Sequence, residues 1–254
     1  MTSEDDAIRL KNCPAPILEE LSQAPTIGLT ARTRALHYSR QVEPASLVLA
    51  ATDQITLPTA GLSIDPRRLG EIHAHHGRIE LDFKPRTTRL ELTPPPDLLQ
   101  DIVLSHTAGL TPGSHLLSRR RAARQSFIPC PCCRDAAAQR RAHPEHHPLF
   151  SILSSSPQVQ LHIPGPSCSI SHPFHLHNLS AAKGKICMAA EDGTRLTIDA
   201  GFIHCLLIQP IRTDAESRSA LMIFDMLGEQ ILVVSTDQPN DLRRWQQICT
   251  LKHP

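Results

Sequence analysis

The sequence has few aromatic side chains and almost no surplus of charge. Phe, Trp and Tyr make up only 3% of its 254 residues, and proteins that bind single-stranded nucleic acid stack the bases on such rings. Lys and Arg number 26 against 25 Asp and Glu, which gives a formal net charge of +1. A dedicated nucleic-acid binder needs an excess of cations facing the phosphates. We therefore expect no nucleic-acid partner.

Long apolar runs and the common enzyme motifs are also missing. The most apolar stretch, 201–211, is too short to span a bilayer and contains a proline. The first ten residues lack the basic and apolar regions of a signal peptide. No GxGxxG, GxxxxGKS/T, GxSxG or HExxH motif occurs. We predict a cytoplasmic protein that does not insert into membranes, and we expect a bound cofactor or metal to supply any chemistry.

Histidine and cysteine, in contrast, are abundant, with fifteen and eight residues. Eight cysteines without a secretion signal are expected to be reduced thiols rather than a disulfide framework. Both residue types concentrate in the polar segment 127–148, where three thiolates and one imidazole could form a Cys3His zinc site. Its candidate ligands are Cys130, Cys132, Cys133, His143, His146 and His147. The CxCC spacing differs from the usual CxxC, so an exposed loop with incidental thiols remains an alternative.

The periodicity of the sequence indicates an α+β fold. Strand patterns crowd into 158–235, and 26–40 is compatible with a strand pair. Runs of strands flanked by helices, without βαβ alternation, predict a layered fold with a largely antiparallel sheet. A proline-rich linker candidate lies at 93–97. Helices are predicted at 65–77, 97–105, 115–126 and 237–252.

Four blocks of the second half follow a recognisable order: VQLHIPGPSCSISHPFHLHNLS (159–180), AEDGTRLTI (190–198), HCLLIQPIRTDAESRSALMIFDMLGEQI (204–231) and PNDLRRWQQI (239–248). They resemble the HemS/ChuX-type haem-utilisation family, also called haemin-degrading factors, whose members are two-repeat cytoplasmic proteins. In the first half, 17–40 and 64–81 are similar to segments of the family's first repeat. The resemblance implies two related repeats, each a largely antiparallel sheet flanked by helices. The first, at 1–95, is shortened, and the second, at 96–254, carries the insertion 127–148.

The segment LSHTAGLTPGSHLLSRRRAAR (104–124) is similar to the helix that carries the family's haem ligand. By that resemblance His106 ligates the iron, His115 matches a later family histidine, and Arg119 matches an arginine near the haem propionates. A neutral imidazole can give haem iron a fifth bond, and a guanidinium can neutralise a carboxylate. Read without the resemblance, the arginine run could meet phosphate or DNA, but in a chain without surplus charge a solvated helix face or carboxylate binding is expected instead.

The chain departs from the family in the surroundings of these residues. Gln209 stands where the family has a lysine that is thought to face haem. Gly109, Pro112 and Gly113 follow His106 and are expected to break a helix there.

The resemblance implies a haem-binding protein that serves haem trafficking or utilisation after uptake. Some relatives are described as degrading haem, and whether this chain is an enzyme stays open. Trafficking is the favoured interpretation, because several pocket contacts are missing. A haem-uptake transporter or a reductase would be the protein partner. The alternative is a non-haem accessory protein with a zinc-binding or thiol-responsive Cys/His segment.

Overall fold

Strands outnumber helices in the part of the chain that the structure describes. The computed structural model describes residues 7–44, 48–49, 54–84, 88–125, 131–165, 167–212, 217–238 and 240–251. The elements of the first half are β1 (Ala7–Leu10), α1 (Pro14–Leu21), β2 (Ile27–Arg32), β3 (Leu36–Val42), β4 (Val48–Leu49), β5 (Ile55–Leu57), β6 (Leu62–Ile64), β7 (Leu69–His75), β8 (Arg78–Phe83), β9 (Arg89–Thr93), α2 (Pro96–His106), β10 (Thr107–Thr111) and α3 (Gly113–Gln125). Those of the second half are α4 (Pro131–Ala142), α5 (Pro148–Ser155), β11 (Gln158–Ile163), β12 (Cys168–Ala182), β13 (Lys185–Ala190), β14 (Arg195–Asp199), β15 (Ile203–Arg212), β16 (Ser217–Asp225), β17 (Gln230–Thr236) and α6 (Asp241–Leu251).

The contacts within the chain divide it into two compact units. The first comprises residues 1–34, 39–128 and 166–169, and the second comprises 35–38, 129–165 and 170–254. These units are defined by contacts and not by internal repetition. The repeats expected at 1–95 and 96–254 therefore remain a prediction.

Antiparallel pairing runs through six strands of the first unit, in the order β10-β1-β7-β8-β9-β2. Every second side chain of β2 is buried, namely Ile27, Leu29 and Ala31, as the period of two along a strand requires. A smaller antiparallel group consists of β4, β5 and β6. The predicted antiparallel character is confirmed for this unit.

The helix predicted over 65–77 is wrong. Asp65 does act as an N-cap, since its carboxylate accepts from the backbone N–H of Arg67 at 3.0 Å, but the helical turn ends at Arg68. The chain then enters β7, which pairs with β1 on one side and with β8 on the other. His76 and Gly77 have φ of 48° and 77°, so they form the hairpin turn to β8 and not a helix end. Pairing on both sides of β7 overrides the local helix signals.

Seven strands of the second unit are paired antiparallel in the order β15-β16-β17-β11-β12-β13-β14. Trp245 of α6 is fully buried in this unit. Its indole N–H donates to Ser156 Oγ at 3.0 Å, and that hydroxyl donates to Asp241 Oδ2 at 3.1 Å. These buried hydrogen bonds tie the first and second turns of α6 to the residue that follows α5.

The other helix predictions agree with the structure. Helices α2, α3 and α6 confirm those expected at 97–105, 115–126 and 237–252. The segment 127–148 is more helical than a loop, because α4 occupies 131–142 within it. With the strands above, these helices confirm the α+β class. Across the described ranges, no helix combines the length and the apolar character needed to cross a membrane.

Candidate functional site

The expected iron ligand, His106, is the last residue of α2. The chain continues directly as β10, and α3 begins only at Gly113. The helix break predicted from Gly109, Pro112 and Gly113 is therefore present. Because β10 pairs with β1, the backbone that follows His106 is fixed in the first unit's sheet.

The imidazole of His106 contacts a carboxylate. Its Nε2 lies 2.7 Å from Oε1 of Glu20 on α1, and 13% of the histidine side chain is exposed. A carboxylate on one ring nitrogen fixes the tautomer and the ring orientation, and it raises the basicity of the other nitrogen. Histidines that ligate metals in proteins usually have such a partner. The pair is therefore chemically suited to offer one nitrogen lone pair to a metal ion.

Arg119 and His115 lie on α3. Arg119 contacts a different carboxylate from the one that contacts His106. The Arg119 guanidinium donates a short hydrogen bond to Oε2 of Glu71 on β7. This bond lowers the pKa of Glu71 and raises the pKa of Arg119. His115 is exposed. The carboxylate that Arg119 binds in this structure therefore belongs to the protein's own sheet.

Arg119 is one member of an ionic network on strands β2, β7, β8 and β9, which sequence reasoning missed. Its most buried carboxylate is Glu91, with 2% of its side chain exposed and oxygens 2.7 to 2.8 Å from the guanidinium groups of three arginines. Arg120 reaches from α3 to Glu80 and Asp82, each at 2.7 Å. The members are Arg32, Arg78, Arg89, Arg119, Arg120, Glu71, Glu80, Asp82, Glu91 and the fully buried His73.

Exposed leucines surround the two candidate histidines in the sequence. Five large apolar side chains are notably exposed among the described residues, and three of them are Leu104, Leu110 and Leu117. They lie on α2, β10 and α3, with exposed fractions of 74%, 57% and 56%. Binding sites for small molecules are lined mostly by apolar side chains with a few polar groups that fix orientation. These leucines are available for such a contact.

The expected Cys3His zinc set is not assembled by its described members. Cys132 is exposed and Cys133 half-buried, both in the first turn of α4, while Cys130 lies outside the described residues. In the described part of the chain, the metal-type donors that converge are those of His143, Glu145 and His146, without a cysteine. The helix α4 separates the two cysteines from these histidines in the chain, with 142 as its last residue. Zinc on the cysteine set therefore has no support in the structure.

The second unit contains a cavity of about 430 Å³ beside the turn between α4 and α5. Its walls come from that turn, from the beginning of β15 and from the end of α6. Four imidazoles and two thiols line it, those of His143, His146, His147, His204, Cys205 and Cys249. Burial raises the pKa of Cys249, so its thiol stays protonated at neutral pH.

The fold is similar to those of two bacterial proteins of known structure. The apo and holo structures of PhuS, a haem-binding protein from Pseudomonas aeruginosa, match with TM-scores of 0.68 and 0.70 at 13% and 14% sequence identity. They cover 96% and 94% of this chain and 86% of their own. The haem-degrading enzyme ChuS from Escherichia coli O157:H7 matches with a TM-score of 0.70 at 10% identity, over 95% of this chain and 86% of its own.

At such low identity the likeness establishes the fold, and it confirms the predicted resemblance at that level. No protein-family sequence model matches the chain, and no curated protein is significantly similar to it in sequence.

Proposed function

We propose that this chain binds haem in the cytoplasm and delivers or stores it after uptake. The observation that carries the proposal is the fold, which is shared with PhuS and ChuS over at least 94% of this chain. Those two proteins are described as haem-binding and haem-degrading. A fold alone does not define a function, so the proposal also depends on the chemistry of its site.

His106 is the proposed axial ligand, and its surroundings fit that role. The carboxylate of Glu20 engages Nε2 at 2.7 Å, so Nδ1 is the ring nitrogen that would donate its lone pair to iron while this pair is kept. Leu104 and Leu110, which are close to His106 in the sequence, expose apolar surface that a porphyrin could contact. Bound haem would supply the iron centre, while this chain supplies the ligand, its orientation and apolar contacts.

Arg119 is proposed to bind a haem propionate, with His115 as a further contact on α3. The guanidinium already binds a carboxylate, that of Glu71. A propionate is the same kind of planar anion, and a guanidinium can hold two carboxylates at once, as Arg120 holds Glu80 and Asp82. The Arg119 side chain is 44% exposed, so a ligand can reach it. Because exposed ion pairs contribute little, we expect Arg119 to contribute less to affinity than His106 does.

Trafficking is the better-supported activity of the two that the resemblance implies. Gln209 replaces the family's lysine, and its amide N–H contacts Met222 Sδ at 3.7 Å. Only 3% of the residues are aromatic, so few rings are present to enclose a porphyrin. A site with few enclosing rings favours transfer of haem to a partner over its enclosure for oxygen chemistry. A haem-uptake transporter or a reductase remains the proposed protein partner.

A titration with haemin, followed by the Soret band, tests the proposal. Wild type should give a saturable shift that His106→Ala weakens strongly, whereas His177→Ala, a substitution of an exposed histidine on β12, should bind like wild type. Glu20→Gln should weaken binding by roughly tenfold, as is typical for the partner of a ligating histidine. Absence of a saturable shift in wild type would refute haem binding. If the spectral shift persists in His106→Ala, a residue other than His106 is the iron ligand.

A further inference from the structure

The turn between α4 and α5 gathers three metal-binding side chains outside the proposed haem site. The ligand atoms of His143, Glu145 and His146 all lie within 4.8 Å of one another, and all three residues are exposed. The two imidazole rings stack with centroids 5.2 Å apart and planes 15° from parallel. Glu145 Oε1 is 3.5 Å from His143 Nδ1. Two imidazoles and a carboxylate thus converge without any contribution from cysteine.

The backbone of this turn is held by short-range hydrogen bonds. The N–H of His146 donates to the carbonyl of His143 at 3.0 Å, and Pro144 between them is buried. His147 then caps α5, since its Nδ1 accepts from the N–H of Leu149 at 3.2 Å. The positions from which the ligands project are therefore fixed, and only side-chain rotation remains to be ordered on binding.

An ion pair anchors α4 immediately before the turn. Nε of Arg141 lies 2.8 Å from Oδ1 of Asp199, and the guanidinium lies over the ring of Phe202, 5.3 Å from its centroid. A Cβ at Gly201 would lie 2.5 Å from that same Nε, so a larger residue there would require the arginine to shift. The cluster starts two residues beyond this anchor.

The cavity of about 430 Å³ adjoins the cluster, because His143 and His146 are among its lining residues. Further nitrogen and sulfur donors line the same space, those of His147, His204 and Cys205. A metal ion on the turn would therefore have its remaining coordination positions next to a space that admits water or a small ligand.

We propose that His143, Glu145 and His146 bind one divalent first-row transition-metal ion beside this cavity. Two imidazoles and one carboxylate suit zinc, cobalt, iron or nickel, whereas magnesium and calcium prefer oxygen ligands. The site differs from the Cys3His set expected from sequence, because Glu145 replaces the thiolates. It does not depend on haem binding, and haem binding does not depend on it.

Cobalt titration of haem-free protein without a histidine tag tests the site, with Co²⁺ absorption as the readout. Wild type should saturate with one ion, and His143→Ala/His146→Ala and Glu145→Gln should each weaken binding by about tenfold or more. The matched control is His175→Ala/His177→Ala, which removes two exposed histidines of β12 and should leave binding unchanged.

Three results would overturn the proposal. One is the absence of saturable Co²⁺ binding in wild type, and another is equal binding by the cluster variants and wild type. The third is a thiolate-to-cobalt charge-transfer band that disappears in Cys132→Ser/Cys133→Ser, which would assign the ion to the cysteines. Circular dichroism of each variant separates loss of ligand from loss of fold. Since no haemin is present, these results are independent of the haem titration.

Discussion

Replacing Glu91 by Gln removes the charge at the centre of the first unit's ionic network. Its carboxylate is 2% exposed and is paired with Arg32, Arg78 and Arg89 at 2.7, 2.7 and 2.8 Å. Removal of one partner from a buried ion pair costs roughly 3–5 kcal/mol, because the other charges stay buried without compensation. Arg32 and Arg78 are 38% and 34% exposed and can regain water, so we expect the low end, about 3 kcal/mol.

Urea unfolding measures this cost. With an m-value of about 3 kcal/mol/M, a loss of about 3 kcal/mol lowers the midpoint by about 1 M. The single Trp and the single Tyr, Trp245 and Tyr38, both belong to the second unit, whereas Glu91 belongs to the first. Circular dichroism should therefore register the destabilisation of the first unit, and fluorescence reports separately on the second.

Glu19→Gln is the matched control, since Glu19 is an exposed glutamate of the same unit. Its effect should stay within about 0.5 kcal/mol, as for most surface substitutions. If Glu91→Gln lowers the unfolding free energy by less than about 1 kcal/mol, as followed by circular dichroism, then Glu91 does not form buried ion pairs with the three arginines.

Three further predictions concern pH, packing and thiol chemistry. Burial lowers the pKa of His73, so the unfolded chain binds a proton below about pH 6.5 that the folded chain refuses, and stability should fall as pH drops from 7 to 5. The lowered pKa values of Glu71 and Glu91 add a second loss of stability as pH falls below about 4.5. Urea midpoints of wild type and His73→Gln, measured between pH 8 and 4, should distinguish the loss due to His73 from the loss due to the glutamates. A Cβ at Gly201 meets the Arg141 side chain, so Gly201→Ala should displace Arg141 from Asp199 and lower the melting temperature. In the Arg141→Ala background the same substitution should have no such effect, and an equal loss in both backgrounds would contradict the packing argument. Burial raises the pKa of Cys168 to about 12, so iodoacetamide at pH 8 should label the exposed Cys13, Cys132 and Cys205 first, as mass spectrometry can follow. Early labelling of Cys168 would contradict its burial.

Much of the fold could be predicted because its signals are local. The helix break after His106 follows from two glycines and a proline, and the alternation of β2 and of the strands after residue 158 follows from their period. The segment 65–77 fails for the opposite reason. Its cap and its closing Gly77 are typical of a helix, but pairing on both edges decided the outcome for β7. A single sequence does not reveal which strands pair across long separations.

The ionic network could not be predicted, although each of its residues is visible in the sequence. Glu80 and Glu91 alternate with apolar residues in β8 and β9, a pattern that predicts charged side chains facing water. Arg120 of α3 and the arginines of neighbouring strands cover that face instead, and both glutamates are buried. The period of a strand tells which residues share a face, whereas tertiary structure decides what covers it.

The same contacts determine how far the candidate site can bind haem in the way that the resemblance implies. Arg119 is expected by resemblance to meet a propionate, yet it meets Glu71, which lies on β7 of the same unit. A carboxylate of the protein thus occupies the arginine that would receive the ligand's carboxylate. His106 is paired as well, but Glu20 uses only one of its two ring nitrogens. Because an imidazole can bind a carboxylate and a metal at once, whereas an ion pair at the half-exposed Arg119 contributes little, any haem affinity should depend mainly on His106.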